Sequence, residues 1–541
     1  MKRKLLVSAF ICLVSQISTT LCAQTFTSSN LPIVVINTYG QSISAYQKYY
    51  VGMGIIDNGP GVRNNMTDPF NGFNGEVELD LHGQSTLYLP KQSYGITPVD
   101  GAHQSLNVPL LGLPAGKDWV FKGLYQDKTF LRDELGFMIH NRMGHYSSRT
   151  RFFELVVDGD YRGVYQIEEK VKRDNDRVNI SKLKYTDTTG DELTGGYIIR
   201  LDKFYGPTPG WYSFFNSNIS HDSANYFLFH YPKPDSMPQV QKDYIEGYFH
   251  AFENVLVSPT FNDPVNGYRR YIDVPSFIDN FILNELSKNT DGYRSSTYFY
   301  KDRDSKGGKL FSGPMWDFNI AFDNCNFNGG DNPAGWQYQV FATENFVPFW
   351  WWQFMSDDSF KDELKCRYQY LRTNVLNITT LYQHIDSMAA FLDESQARNF
   401  AKWPIMGQYV APQPSPIPPD YAGEIGRLKY FIQQRLNWMD ANMPGLCQVG
   451  VHENELADNM LNVYPNPFSN NMTVAYYLPE GGKLKIELLN LVGERIQLIT
   501  EGEKSYGEYE NVISTETLAS GIYLVKMSLN DHVAYKKVVK M

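Results

Sequence analysis

Two aspartates in one stretch of the chain are set among residues that suit work on phosphate. Asp291 lies in N-T-D-G-Y, just before the strand-like S-T-Y-F-Y, and Asp317 lies in M-W-D-F-N, just after another apolar run. Phosphoryl transfer needs one carboxylate to orient and deprotonate an acceptor hydroxyl. It needs a second, on a nearby loop, to hold Mg²⁺ against the phosphates. A nucleotide cradle would have to lie upstream. The turn H-G-Q-S-T (82–86), followed by Lys91 in L-P-K-Q-S-Y, is chemically suitable, because backbone N–H groups of a glycine turn approach phosphates and a strand lysine can neutralise them. Glu169 could tether that lysine or bind a second metal ion, and Arg132, on a helix, could reach phosphate. Each residue also has a plain structural reading. An aspartate beside glycine is a turn former, a lone strand lysine or helix arginine is a solvated charge, and Glu168 reads as a solvent-facing acid in a run of mixed charge.

The elements that must position these residues alternate between the two periodicities. Residues from about 30 to 110 read as β-rich, with apolar runs broken by Gly and Pro. Apolar residues at helical spacing predict a helix from Asp127, a candidate N-cap, to Met143, with Gly144 as its stop. R-F-F-E-L-V-V-D-G-D-Y-R-G-V-Y-Q-I-E-E predicts a hairpin about an Asp-Gly turn, and residues 196–202 another strand. Helices follow at 238–256 and 273–290, the second capped by Asp273. Residues 344–403 are mostly helical and include the aromatic patch F-W-W-W-Q-F, which reads first as core packing of a helix, 410–420 is a Pro-rich loop, and a last helix closes the region. After about Val451 the chain becomes a run of short strands with N-P and G-G turns, a small β-sandwich. The fold class is therefore α+β. Helix, loop aspartate, strand pair, then a loop aspartate before an aromatic is the order used by protein kinases. The second metal-binding amide of that order would stand five residues after Asp291, where this chain has Ser296.

Bulk properties limit the partners. Across 541 residues the formal net charge is −10, with no long basic run after the N-terminus, which argues against nucleic acid as a partner. M-K-R-K, an apolar run and Leu21-Cys22-Ala23 read as a signal peptide over 1–23, its apolar core too short to span a membrane. Three cysteines would then remain, Cys325, Cys366 and Cys447, which allows one disulfide.

From about Leu31 to Met443 the chain resembles the CotH (spore-coat protein H) kinase-like family. The residues that carry the resemblance are the G-Q-S turn with Pro90-Lys91-x-Ser93-Tyr94, L-L-G-L-P-A-G-K-D-W, D-K-T-F-L-R-D-E-L, D-G-D-Y-R-G-V-Y-Q-I-E-E-K-V-K-R, S-K-N-T-D-G-Y-R-S-S-T-Y-F-Y-K-D and G-P-M-W-D-F-N-I-A-F, in that order. The resemblance implies an atypical protein-kinase-like domain over 24–450, β-rich over about 30–200 and helical over about 235–445. It also implies transfer of phosphate from ATP, with Mg²⁺ or Mn²⁺, to Ser or Thr of exported proteins. By position Asp291 matches the catalytic aspartate, Asp317 the metal-binding one, Glu169 the acid of an E-K-I-K-R segment and Lys91 the lysines of P-K-K-S-Y. Three departures stand out: His82 for an arginine, Ser296 for an asparagine, and Asn319 for the second aspartate of W-D-x-D. Ser296 and Asn319 complete the implied metal set with less charge, so a catalytically inactive surface-binding or adhesion protein, using the face around Phe349–Phe354, is the alternative. Residues 451–541, with Y-P-N-P, S-G-I-Y-L-V and a basic end, resemble the C-terminal sorting domain of type IX secretion cargo in Bacteroidetes. That implies a partner in the type IX machinery and a route through periplasm and outer membrane to the surface or medium.

Overall fold

The computed structural model describes residues 26–447, apart from 46, 85, 204–207, 216–224 and 341–346, and residues 461–541, apart from 479–480, 491–493 and 531. The expected signal peptide, 1–23, lies outside the described residues. Two compact units divide the chain, Met1–Leu446 and Cys447–Met541.

The first unit begins with a closed seven-stranded barrel: β1 (Ile33–Asn37), β2 (Tyr49–Ile56), β3 (Phe73–His82), β4 (Ser93–Val99), β5 (Trp119–Lys122), β6 (Thr150–Val157) and β7 (Asp160–Glu169). Around the barrel the order is β6-β7-β5-β4-β3-β2-β1, all antiparallel except the closing β6–β1 pair. Alternation along each strand sends one set of side chains, among them Val51, Ile96, Phe121, Phe153, Tyr165 and Ile167, into a core inside the barrel. The β6–β7 turn is the one the sequence predicts: Asp158 and Gly159 both have positive φ, 49° and 78°, as a two-residue turn with the twist of a hairpin requires.

Helix α1 (Arg132–Arg142) packs on the outside of this barrel, where Leu135, Phe137 and Ile139 join Phe152 and Val164 in a second, larger core. The helix starts later than the sequence pattern predicts. Asp127 does not cap it at N1; it folds the preceding turn, taking Thr129 N–H on Oδ1 at 3.1 Å, and reaches on to Arg132 N–H with Oδ2 at 2.9 Å.

The same large core is closed from the other side by a five-stranded sheet and a helical layer. The sheet comprises β8 (Tyr197–Leu201), β9 (Gly210–Tyr212), β10 (Tyr226–Tyr231), β11 (Thr297–Lys301) and β12 (Leu310–Ser312), in the order β9-β10-β8-β11-β12. The helices are α2 (Gln239–Leu256), α3 (Val274–Ser287), α4 (Trp350–Ser356), α5 (Asp358–Thr373), α6 (Ile378–Phe391), α7 (Asp393–Lys402) and α8 (Tyr421–Asn442). Asp273 caps α3 by accepting Ser276 N–H at 2.9 Å. The aromatic patch belongs to α4 and is core. Trp350 packs on Phe227, Phe252 and Phe299, with ring centroids 5.6, 4.9 and 5.5 Å away, and Phe349, Trp351 and Phe354 are buried with it. Core packing, the first reading of this patch, is what the structure shows, and the binding face around Phe349–Phe354 that belonged to the alternative reading is corrected. A short helix between sheet and helices buries most of its aromatics, with Trp352 half-buried.

Residues 461–541 form two antiparallel sheets. One is β13 (Leu461–Tyr464), β14 (Asn471–Leu478) and β17 (Gly507–Ser514); the other is β15 (Gly482–Leu489), β16 (Arg495–Lys504), β18 (Gly521–Leu529) and β19 (His532–Lys540). Leu461, Val474 and Ile513 of the first share a core with Ile486, Val525 and Val538 of the second, which makes the unit a sandwich. Cys366 and Cys447 are disulfide-bonded, and Cys325 is free and buried. Among the described residues no helix is long and apolar enough to cross a membrane.

Candidate active site

Helix α3 ends at Ser287, and Lys288 leaves it in the left-handed region at φ 48°. The loop that follows carries Asp291, the strand pair β11–β12 turns the chain back, and the next loop carries Asp317, itself at φ 58°. Asn289 joins the two loops. Its Nδ2 donates to the Asp317 carbonyl at 3.0 Å, and its Oδ1 accepts the Asp291 N–H at 3.1 Å. Ser296, also left-handed at φ 49°, donates its hydroxyl to Asp317 Oδ2 at 3.2 Å. The structure therefore gathers Asp291, Ser296 and Asp317 around one buried asparagine. Asp291 has two cations beside it, Arg294 Nη2 at 3.3 Å and Lys203 Nζ at 3.8 Å from Oδ1. Asn319 sits half-buried one turn further on; its carbonyl accepts from Asn324 Nδ2 at 2.6 Å, and its side-chain amide makes no hydrogen bond among the described residues.

On the barrel side, the residue that meets Asp317 is Lys122, at the end of β5. Its ammonium lies 2.9 Å from Asp317 Oδ1, 2.9 Å from Asp133 Oδ2 and 3.6 Å from Glu168 Oε1, with the Trp316 ring centroid at 5.8 Å. Asp133, on α1, also takes the Phe318 N–H at 2.6 Å, so one buried carboxylate holds both the lysine and the backbone that follows Asp317. Burial lowers the Lys122 pKa, but Asp133, Glu168 and Asp317 together outweigh it and hold the pKa well above the usual lysine value. Burial raises the Asp317 carboxyl; the charge and hydrogen bond of Lys122, with the Ser296 hydroxyl, outweigh it and leave the pKa below the usual value. Glu168, buried on all sides, is pushed well up by desolvation against the pull of Lys122. His82, at the end of β3, is lowered to about 4 by burial and by Lys170 and Lys122, and is neutral at pH 7.

Three expected nucleotide-side residues have other roles. Lys91 is buried and donates to the Val164 carbonyl at 2.5 Å and to Asn399 Oδ1 at 2.7 Å, its ammonium 4.8 Å from the Tyr165 ring centroid. It ties the barrel to α7 and has no contact with the Asp317 cluster. Glu169 is saturated by Arg149, at 2.7 and 2.8 Å, and by Arg177 at 2.9 Å. Its neighbour Glu168 is the one beside Lys122. The reason is strand parity: Tyr165 and Ile167 point into the barrel, Glu169 follows them to its end, and Glu168 faces outward with Val164. Arg132 is likewise committed. It donates to Asp127 Oδ1 at 2.5 Å and to the carbonyls of Ala321 and Phe322 at 3.1 and 3.2 Å, fastening the start of α1 to the loop after Asp317.

Lys122, Asp133 and Asn289 are not singled out by the sequence, and Glu168, read there as a solvent-facing acid, is instead completely buried beside Lys122. The only local signal is a charged residue inside an otherwise apolar run, as in W-V-F-K and F-L-R-D-E-L. The resulting constellation, a strand lysine paired with a helix acid and lying on an aspartate of an Asp-Phe loop, has the parts of a phosphoryl-transfer site. Residues 79–439, two-thirds of the chain, match the CotH kinase protein family. The chain belongs to that family. Residues 462–541 of this CotH-family chain match the secretion-system C-terminal sorting domain, which makes its second unit a sorting tail and implies export to the cell surface or medium. No curated protein matches it.

Proposed function

We propose that the protein is an exported CotH-type phosphotransferase that moves the terminal phosphate of ATP, with Mg²⁺ or Mn²⁺, onto Ser or Thr hydroxyls of secreted or surface proteins, and that its tail engages type IX secretion machinery. The observation that carries this reading is the Asn289 bridge, which holds Asp291 and Asp317 on adjacent loops, with Lys122 on Asp317. The donor set suits a hard divalent ion. Asp317 and the Ser296 hydroxyl offer oxygen ligands, and Mg²⁺ sites on nucleotides use one or two carboxylates plus phosphate oxygens. Bound there, the ion would neutralise charge developing on the phosphates. Lys122, oriented by Asp133 and Glu168, would swing its ammonium from Asp317 toward a phosphate oxygen. Asp291 would accept the acceptor's hydroxyl proton as the new O–P bond forms and the bond to the ADP oxygen breaks, with Arg294 and Lys203 beside it to bind the transferred group.

Two substitutions test this. Asp317→Ala is expected to abolish metal-dependent ATP binding by calorimetry. Asp291→Asn should leave that binding within about twofold while lowering ³²P transfer to exported acceptor proteins by about 100-fold or more. Nucleotide binding by the wild type with no transfer to any acceptor would favour the inactive binding protein; no nucleotide binding would remove the kinase reading.

A further inference from the structure

Strand β8 ends beside the loop that carries Asp291 into β11. Its last residue, Leu201, is registered opposite Thr297, the first residue of β11. Ser296, immediately before Thr297, is the residue whose hydroxyl reaches Asp317 Oδ2. Asp202 therefore leaves the strand alongside Ser296, while Lys203, one residue on, lies 3.8 Å from Asp291 Oδ1. The Asp202 side chain is 13% exposed; it accepts the Lys203 N–H on Oδ1 at 2.8 Å and has Arg200 Nε 3.4 Å from Oδ2.

A second observation points to a cation nearby. Glu168 is completely buried, and neither of its carboxylate oxygens has a hydrogen-bond partner. It faces Lys122, which already serves Asp133 and Asp317, so three carboxyl groups share one ammonium. Such a buried acid group is costly to ionise unless a cation balances it. Among the described residues no three acid, His or Cys side chains stand as a ready metal cage, so an ion here must take part of its shell from phosphate oxygens.

From this register and charge, and resting on the phosphotransferase reading above, we propose that Asp202 is a metal-site carboxylate, supplying from β8 the anionic ligand that Ser296 and Asn319 do not. The site thereby has two carboxylates from different segments, Asp202 just after β8 and Asp317 on the loop after β12, converging across the Ser296 hydroxyl. It takes a divalent ion with a nucleoside triphosphate rather than the ion alone.

The test uses the mature full-length chain, with Mn²⁺ followed by electron paramagnetic resonance in the presence of a non-transferable ATP analogue. Asp202→Asn preserves shape and the bond from the Lys203 N–H; it is expected to weaken Mn²⁺ binding by about tenfold or more and to leave analogue binding without metal unchanged. Wild-type Mn²⁺ affinity in Asp202→Asn overturns the assignment of Asp202 and leaves the phosphotransferase reading standing. A wild type that binds no Mn²⁺ with the analogue overturns both. Should the variant not fold, iron-mediated cleavage of the wild-type backbone reads the same geometry. Cuts at both 202 and 317 are expected, and a cut at 317 without one at 202 overturns the proposal.

Discussion

At the scale of single residues, the site depends on a few buried groups that each do two jobs. Lys122 compensates Asp133, Glu168 and Asp317; Asp133 holds Lys122 and the Phe318 N–H; Asn289 links the carbonyl of Asp317 to the N–H of Asp291. Breaking one partner of a buried ionic group costs more than the pair contributes, because the remaining charges stay desolvated. Lys122→Met is therefore expected to lower stability by about 3–5 kcal/mol at pH 7, measured by urea denaturation. The loss should shrink as pH falls, because the orphaned carboxyls of Asp133, Glu168 and Asp317 can then be neutralised by protons. A loss independent of pH would show that the lysine matters for packing and not for charge.

At the scale of elements, the placement of Asp317 is decided by how its loop docks on α1. Arg132 fastens the carbonyls of Ala321 and Phe322, and Phe318 lies so close to the helix that a Cβ on Gly136 would stand 2.4 Å from its ring. Here glycine is required by the approach of a side chain rather than by backbone conformation. Gly136→Ala must displace Phe318 and the residue before it. The expected cost is about 1–3 kcal/mol for overpacking, seen as a lower urea midpoint, together with weaker metal-dependent nucleotide binding by calorimetry. Unchanged binding in a destabilised variant would show that Asp317 is held by Lys122 and Asn289 without help from the helix.

At the scale of the whole molecule, the two units divide the work. Residues before the boundary contain the barrel, the second sheet and the helices that build the candidate site, and those after it form a sandwich with a core of its own. Separate cores unfold separately unless an interface couples them. Calorimetry of the mature chain is expected to resolve two transitions. A chain ending at Cys447 should keep the first transition and its nucleotide binding but lose export. One cooperative transition for the whole chain would contradict this division.

Much of the architecture was open to reading in the sequence, because it rests on local physics. The Asp158-Gly159 turn, the Asp273 cap, the helical spacing before Asn289 and the short strands of the tail follow from backbone preference and periodicity. Asp291 and Asp317 were legible for the same reason, since each stands in a loop between recognisable elements. Other assignments turned on packing between distant segments. Glu168 and Glu169 are neighbours of one type, and only closure of the barrel decides which faces Lys122 and which faces Arg149 and Arg177. Lys91 and Lys122 both lie on or beside barrel strands, and only docking of α7 and α1 makes one a structural tie and the other the partner of Asp317. Asp202 belongs to the same class. Periodicity says that a residue has two possible sides; which side is covered, and by what charge, depends on segments from elsewhere in the chain.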